Sequence, residues 1–162
     1  VTSKSWRSEG AEGAEDDGAR ALQWKAGVVV GGLVYLQSVV GALVRHKDAG
    51  VACPDVPLCL GRLVPPLDHP LVQLHFAHRA LGVAVGIVAL FLALQVLRQS
   101  RSKAPRMLAF GIAVLVAAQV LLGFVSVATQ LHPAAVSFHT LLAASLLSAA
   151  TALAAYGRRP TG

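Results

Sequence analysis

Charged side chains are scarce in this 162-residue chain: Asp, Glu, Lys and Arg make up 14% of it, while 55% is hydrophobic. A soluble globular domain carries about 25% charged residues, so the composition excludes that class and points to a membrane protein. Carboxylates are the scarcer sign, 8 against 14 Lys and Arg. The net charge of +6 is nevertheless no nucleic-acid footprint, because the basic residues are scattered over loops and span ends with no recognition motif around them. No nucleic-acid partner is expected. Cysteine is almost absent, with Cys53 and Cys59 the only two. A membrane thiol oxidase needs a further pair to pass electrons on, which argues against that activity. A signal peptide's order of parts is also missing, since the start is not simply basic and no clear small-residue cleavage site follows the first apolar run. The first span is therefore expected to be retained. Residue 1 is Val rather than Met, an unusual start or one preceded by further chain.

What is present is four apolar runs of about 18 residues or more. They place spans at about 26–44, 71–97, 107–128 and 134–156, an all-α membrane protein built as a four-helix transmembrane bundle over residues 22–157. Residues 1–21, polar and with an acidic cluster at Glu12, Glu15, Asp16 and Asp17, are expected to form a disordered tail, and 158–162 a short C-terminal tail. Residues 45–70 cannot span: they hold prolines at 54, 57, 65, 66 and 70 and three aspartates. The loop between spans two and three carries Arg98, Arg101, Lys103 and Arg106. With Arg20, Lys25, Arg158 and Arg159, it puts both termini in the cytoplasm by the positive-inside rule. The cysteine loop then faces outward, where an oxidising compartment permits a disulfide. Arg45, Lys47 and Arg62 also lie on that side, offset by Asp48, Asp55 and Asp68.

The organising stretch runs from Gln73 to Gly86, with His75, His78 and Arg79 at the head of an otherwise apolar span. An ionisable residue inside a span is a functional hypothesis by default. On a helix His75 and His78 share a face, and Gly82 and Gly86 continue the row below His78. That row reads as imidazole followed by open space, suited to a flat ligand or to close helix packing. There is also a weak internal repeat. Gln37-x-x-x-Gly41 in the first span matches Gln119-x-x-x-Gly123 in the third, and each is followed by a loop and then a span with a histidine a short way in, His78 and His139. The glutamines and glycines read most simply as packing and interhelical hydrogen bonding.

At 1.5 Å per residue, His78 lies about 10 Å and His139 about 7 Å below the start of its span, so the two imidazoles sit at similar depth. Two such histidines on different helices can ligate one haem iron from opposite sides, with Gly82, Gly86, Ala143 and Ala144 leaving room for the macrocycle. The alternative for each is a hydrogen bond to a carbonyl or water near the interface. His75 reads as a third ligand, a proton carrier or a polar group at the water boundary. Zinc on His75, His78 and His139 lacks a cysteine or carboxylate at the same depth to complete an ordinary set. Arg79 and Arg45, near the outer boundary, can pair with a carboxylate such as a haem propionate or snorkel to the headgroups. Cys53 and Cys59 are spaced for a disulfide, as a structural staple or as a redox pair.

The runs Gly41–Arg45 and Cys53–Pro65, then His78-Arg79 and finally His139, resemble the haem A synthase family. The resemblance covers residues 24–156, and the cysteine-loop pattern followed by His-Arg is its specific part. It implies a membrane oxidoreductase of cytochrome oxidase assembly in a bacterial cell membrane, converting the methyl group of haem O to the formyl group of haem A through hydroxylation. It also implies haem b as cofactor. The family's haem ligands on the second and fourth helices correspond to His78 and His139, and its loop disulfide to Cys53 and Cys59. The expected partners are the bilayer, haem O and haem A, haem O synthase and cytochrome oxidase subunits. Two departures stand out. The family is usually two fused four-helix halves, eight helices in all, and this chain has one, so a homo-oligomer is expected to restore the second. The family's Glu-x-x-His-Arg has His75 in the glutamate position, which makes His75 the candidate catalytic residue in its place. The rival readings are a non-catalytic bis-histidine haem protein for electron transfer or haem delivery, and a thiol-disulfide oxidoreductase.

Overall fold

The structure, a computed structural model, describes residues 3–158, with side chains described from residue 17 onward. Four long helices account for most of it: α1 (Ser3–His46), α2 (Pro70–Gln99), α3 (Lys103–Ala128) and α4 (Pro133–Gly157). Each contains a segment long and apolar enough to cross a membrane, and the all-α membrane bundle expected from the sequence is the fold. Residues 1–21, expected as a separate tail, include the start of α1, which is continuous from Ser3. The stretch Ala11–Ala21 holds four alanines and no proline, so nothing in it forces a break before the span, although Gly13 and Gly18 are weak helix formers. Ala19 within it, and Gln23 just beyond it, are buried.

The helix boundaries follow from local chemistry. Both α2 and α4 begin with a His-Pro pair. The proline occupies the first helical position, where its missing N–H removes nothing the helix could use. The preceding histidine caps: His69 Nδ1 accepts from Leu71 N and His132 Nδ1 from Ala134 N, each at 3.3 Å. α1 ends where Asp48 enters the left-handed region (φ 55) before a short 3-10 turn, Ala49–Val51. α2 ends where Ser100 turns extended.

Successive helices run antiparallel, joined by the long loop 47–69 and by two short turns, and they close into a ring. α1 packs on α2 and α4, and α3 packs on the same two, so α1 faces α3 and α2 faces α4 across the bundle. The long loop 47–69 and the turn 129–132 share one end, where Gly50 packs on Leu131. The basic α2–α3 connection lies at the other end, with Trp24 and Arg158. Arg158 stacks over Trp24 at 5.4 Å, and Gln23 Nε2 donates to Ser100 Oγ at 2.9 Å. The core between them is built of small and β-branched residues at helical spacing, such as Ala26, Val30 and Val34 on α1 and Ala89, Ala93 and Val96 on α2. Large apolar side chains point the other way: Tyr35, Ile87, Phe110 and Leu121 are all more than 60% exposed, as a surface solvated by lipid tails allows.

Small residues set the closest approach. A Cβ at Gly27 would stand 2.6 Å from Ala150 O and 2.7 Å from Ala154 Cα, so α1 and α4 meet backbone to backbone there. Gly157 packs in the same way on Arg20 O and Trp24. Along α1, Gly27 and Gly31 face α4, whereas Gly41 faces His78 on α2. Gly27→Ala is expected to push the helices apart at a cost of about 1–3 kcal/mol. Gly32→Ala, where nothing lies within 4 Å, is expected to be neutral or to stabilise by up to about 1 kcal/mol through helix propensity. Thermal unfolding of the detergent-solubilised variants checks the contrast.

Candidate functional site

Gln23 and Ser100 pair at the basic end, whereas His75, His78, His139, Gln37 and Gln119 lie toward the end that carries the cysteine loop. His78 and His139 come from the diagonally placed helices α2 and α4. The repeat read from the sequence has a structural counterpart at each of them. Gln37 on α1 donates from Nε2 to the carbonyl of His78 at 2.9 Å, and Gln119 on α3 donates from Nε2 to the carbonyl of His139 at 3.0 Å. Four residues on, a Cβ at Gly41 would stand 2.9 Å from His78 Cε1, and one at Gly123 would stand 3.6 Å from His139 Cε1. Each unit is therefore a glutamine that pins the histidine's backbone and a glycine whose bare face receives its ring. The two units sit on successive helix pairs, α1–α2 and α3–α4. The His-Pro helix starts belong to the same repeat and were visible in the sequence.

The strip below His78 is filled rather than open. A Cβ at Gly82 would meet Gln37 Nε2 at 3.0 Å, and one at Gly86 would meet Val116 Cγ1 at 3.6 Å. These glycines admit a glutamine amide and a valine from neighbouring helices, so the room expected there for a macrocycle is taken by packing. The bare surfaces that touch the imidazoles belong instead to Gly41 and Gly123.

His75 and Arg79 form a separate arrangement one turn nearer the loop. Arg79 was expected beside a carboxylate or at the headgroups; it instead binds the cysteine loop through its backbone. Nη1 donates to Asp55 O at 2.9 Å and Leu58 O at 2.8 Å, Nη2 donates to Cys53 O at 2.6 Å, and Nε donates to His75 Nε2 at 3.1 Å. Four of the five guanidinium hydrogens are thus spent on positioning. His75 is buried, with Nε2 engaged by Arg79 and Nδ1 without a hydrogen bond. Arg45 is exposed at the end of α1, one turn past Gly41 on the same face. Nothing in the sequence marked Arg79 as a loop anchor, because its acceptors are main-chain carbonyls contributed by residues of any type.

The loop itself is closed by the Cys53–Cys59 disulfide. Cys59 and Arg62 exchange backbone hydrogen bonds around Leu60 and Gly61, both at positive φ. Asp55 Oδ2 accepts from Gly61 N at 2.8 Å. Both cysteines are buried, 0% and 2% exposed, and thiol–disulfide exchange depends on access to the sulfur. The burial favours the staple over the redox pair. Among the described residues no three His, Cys, Asp or Glu side chains stand together to hold a metal ion, so the zinc reading gains no support. Two imidazoles on opposed helices are donors of the kind a haem iron takes; His139 Nδ1 is buried without a hydrogen bond, and Gly41 and Gly123 face the two rings.

The sequence model of the cytochrome oxidase assembly protein family, COX15-CtaA, matches residues 2–151. The chain belongs to this family. Three similar relatives are each named "Heme A synthase". The protein of Caulobacter sp. is 34% identical over 142 residues, 80% of this chain and 41% of that protein. That of Bacillus cereus is 31% identical over 127 residues, 77% of this chain and 40% of that protein. That of Symbiobacterium thermophilum is 46% identical over 71 residues, 44% of this chain and 21% of that protein. The chain thus spans well under half the length of the curated relatives it matches. No solved structure matches it.

Proposed function

We propose that this family member is a haem-binding membrane oxidoreductase of the haem A synthase type, acting in cytochrome oxidase assembly. It would hold haem b between His78 and His139 and take haem O toward haem A. The observation that carries the reading is the duplicated unit: a glutamine pinning the backbone, a glycine facing the ring, and an imidazole from each of two opposed helices. A single buried histidine has many structural uses, but matched surroundings for two suit two axial ligands of one iron. When bound, such an iron supplies one-electron redox chemistry. The chain's own residues would do the rest. Gln37 and Gln119 hold the ligand backbones, and Arg45 and the remaining Nη2 hydrogen of Arg79 offer partners for propionates. Buried His75, in the family's glutamate position, handles protons released as the methyl group is oxidised. With water as the oxygen source, each two-electron stage also needs an external acceptor for the electron pair; with dioxygen as the source, an external donor must instead supply two electrons, with two protons, to take its second oxygen atom to water. The basic α2–α3 end is assigned to the cytoplasm and the cysteine loop to the outside of a bacterial cell membrane. Haem O synthase, oxidase subunits and a further copy of the chain are the partners proposed.

The test is expression with haem O supplied, followed by extraction and chromatography of the bound haem. Hydroxylated or formylated product is the expected result, and His75→Ala is expected to keep haem while losing turnover by about 100-fold, the scale of a general acid–base group. Unmodified haem throughout would support the second reading, a bis-histidine haem carrier. That reading draws on the engagement of His75 Nε2 by Arg79, which leaves only Nδ1 for proton transfer. A wild-type protein that stays colourless would sink both.

A further inference from the structure

The two halves of the bundle are held in different ways. The apolar core that joins all four helices is confined to residues 26–34, 85–96, 109–116 and 146–153, the half of each helix nearer the basic end. In that half α1 and α4 also meet backbone to backbone, at Gly27 and Gly157. Toward the cysteine loop the polar contacts stay inside each helix pair: Gln37 and Gly41 of α1 engage His78 of α2, and Gln119 and Gly123 of α3 engage His139 of α4. Gln37 Oε1, His75 Nδ1, Gln119 Oε1, Ser126 Oγ and His139 Nδ1 are buried there with no hydrogen-bond partner in the protein, which weakens the packing of this half further. A region with few buried apolar contacts opens more readily than the rest of its fold.

An apolar contact that does cross from pair to pair is made at this end by Leu131, whose side chain lies on buried Gly50; a Cβ there would stand 2.5 Å from Leu131 Cδ1. Its backbone is the strained one. Asp48 and Gln130 each stand eleven residues after the glutamine of their unit, and both are left-handed, at φ 55 and 51, so that helix stop belongs to the repeat. The units then diverge: Ala49 begins the 3-10 turn, whereas Leu131 stays left-handed at φ 65. That region is costly for a bulky side chain, and what it accomplishes here is to lay the isobutyl group across the seam. We propose that the α1–α2 and α3–α4 pairs part at their outer end to admit haem between His78 and His139, moving about the close-packed basic half, with the Leu131–Gly50 contact as the latch that closes them. The proposal rests on the haem-binding reading above. Gln37 and Val116 fill the row below His78, so a flat macrocycle reaches the two imidazoles only after the helices separate. The latch is closed before haem enters and again once it is bound. It therefore sets the rates of entry and exit and leaves the affinity alone.

The measurements are haem uptake and haem loss by the purified full-length protein in detergent. Haemin is added to haem-free protein and the Soret band is followed; loss is read by transfer to excess apomyoglobin. Leu131→Ala is expected to speed both by about tenfold, the factor for about 1.4 kcal/mol, and to leave their ratio within about twofold of wild type. Ile112→Val thins the basic-half core. It is expected to lower the melting temperature and to leave both rates unchanged. Hydrogen–deuterium exchange of the haem-free protein is a readout that needs no ligand: Leu131→Ala is expected to quicken exchange over residues 76–82 and 136–142 and to leave 89–96 and 109–116 as in wild type. If Leu131→Ala does not fold, Leu131→Asn removes the same side chain with a residue that tolerates the left-handed region. Rates and exchange that do not move, exchange quickened equally in both halves, or an Ile112→Val protein as fast as Leu131→Ala would overturn the inference while the haem reading stands. A wild-type protein that takes up no haem overturns that reading and this inference with it.

Discussion

Arg79→Met is expected to detach the cysteine loop from α2 and to lower stability by roughly 2–3 kcal/mol, the scale of one or two hydrogen bonds from a half-buried guanidinium. Four hydrogen bonds go with the guanidinium, three of them to loop carbonyls and one to His75. Bonds to a charged group contribute about 1.5–3 kcal/mol each, but the full sum is not realised, because carbonyls of an opened loop regain water. Arg79→Lys keeps the charge and loses the fork, since an ammonium has no planar set of donors to span Cys53, Asp55 and Leu58 at once. It is expected to recover less than half of the loss. The helices should survive in both variants, because their core lies elsewhere in the bundle. Thermal unfolding will report the stability. Tryptic cleavage after Arg62, which is exposed on this loop, will report the detachment. An Arg79→Met protein with wild-type melting and wild-type cleavage would show that the disulfide and the Asp55–Gly61 turn hold the loop without help.

How much of this was legible beforehand depends on what kind of atom makes each contact. The four spans could be read from composition, because each is a run of apolar side chains interrupted by prolines or basic loops. The helices run on past the apolar runs, most of all at the start of α1, which begins at Ser3 in polar sequence. The Gln-x-x-x-Gly match and the paired histidines were legible because identical residues do the same work twice. The role of Arg79 was hidden, since its partners are carbonyls. The filling of Gly82 by Gln37 was hidden for a related reason: an empty place on one helix says nothing about which neighbour enters it. Helical periodicity specifies a face, and only the ring order of the four helices specifies what that face meets.

Single replacement of either proposed axial ligand, His78→Ala or His139→Ala, is expected to abolish the six-coordinate bis-imidazole spectrum and to weaken haem retention by about 100-fold or more. Loss of an outer partner to a metal-ligating histidine already costs about 10–100-fold, which makes the upper end of that range a floor for loss of the ligand itself. Free imidazole added to either variant is expected to restore the spectrum in part. The mutation leaves an alanine opposite Gly41 or Gly123, a ring-sized void bounded by bare backbone. In the first unit the Gln37 amide still stands at its edge. A bulkier 4-phenylimidazole should rescue poorly, because the strip beyond His78 is occupied by Gln37 and Val116. His75→Ala is the control. It removes a buried imidazole one turn away that bonds Arg79, and it should leave the spectrum intact. If His75→Ala bleaches the protein while His139→Ala does not, the iron sits between α2 and the loop. The matched surroundings of His78 and His139 would then be a packing device of the duplicated helix pair.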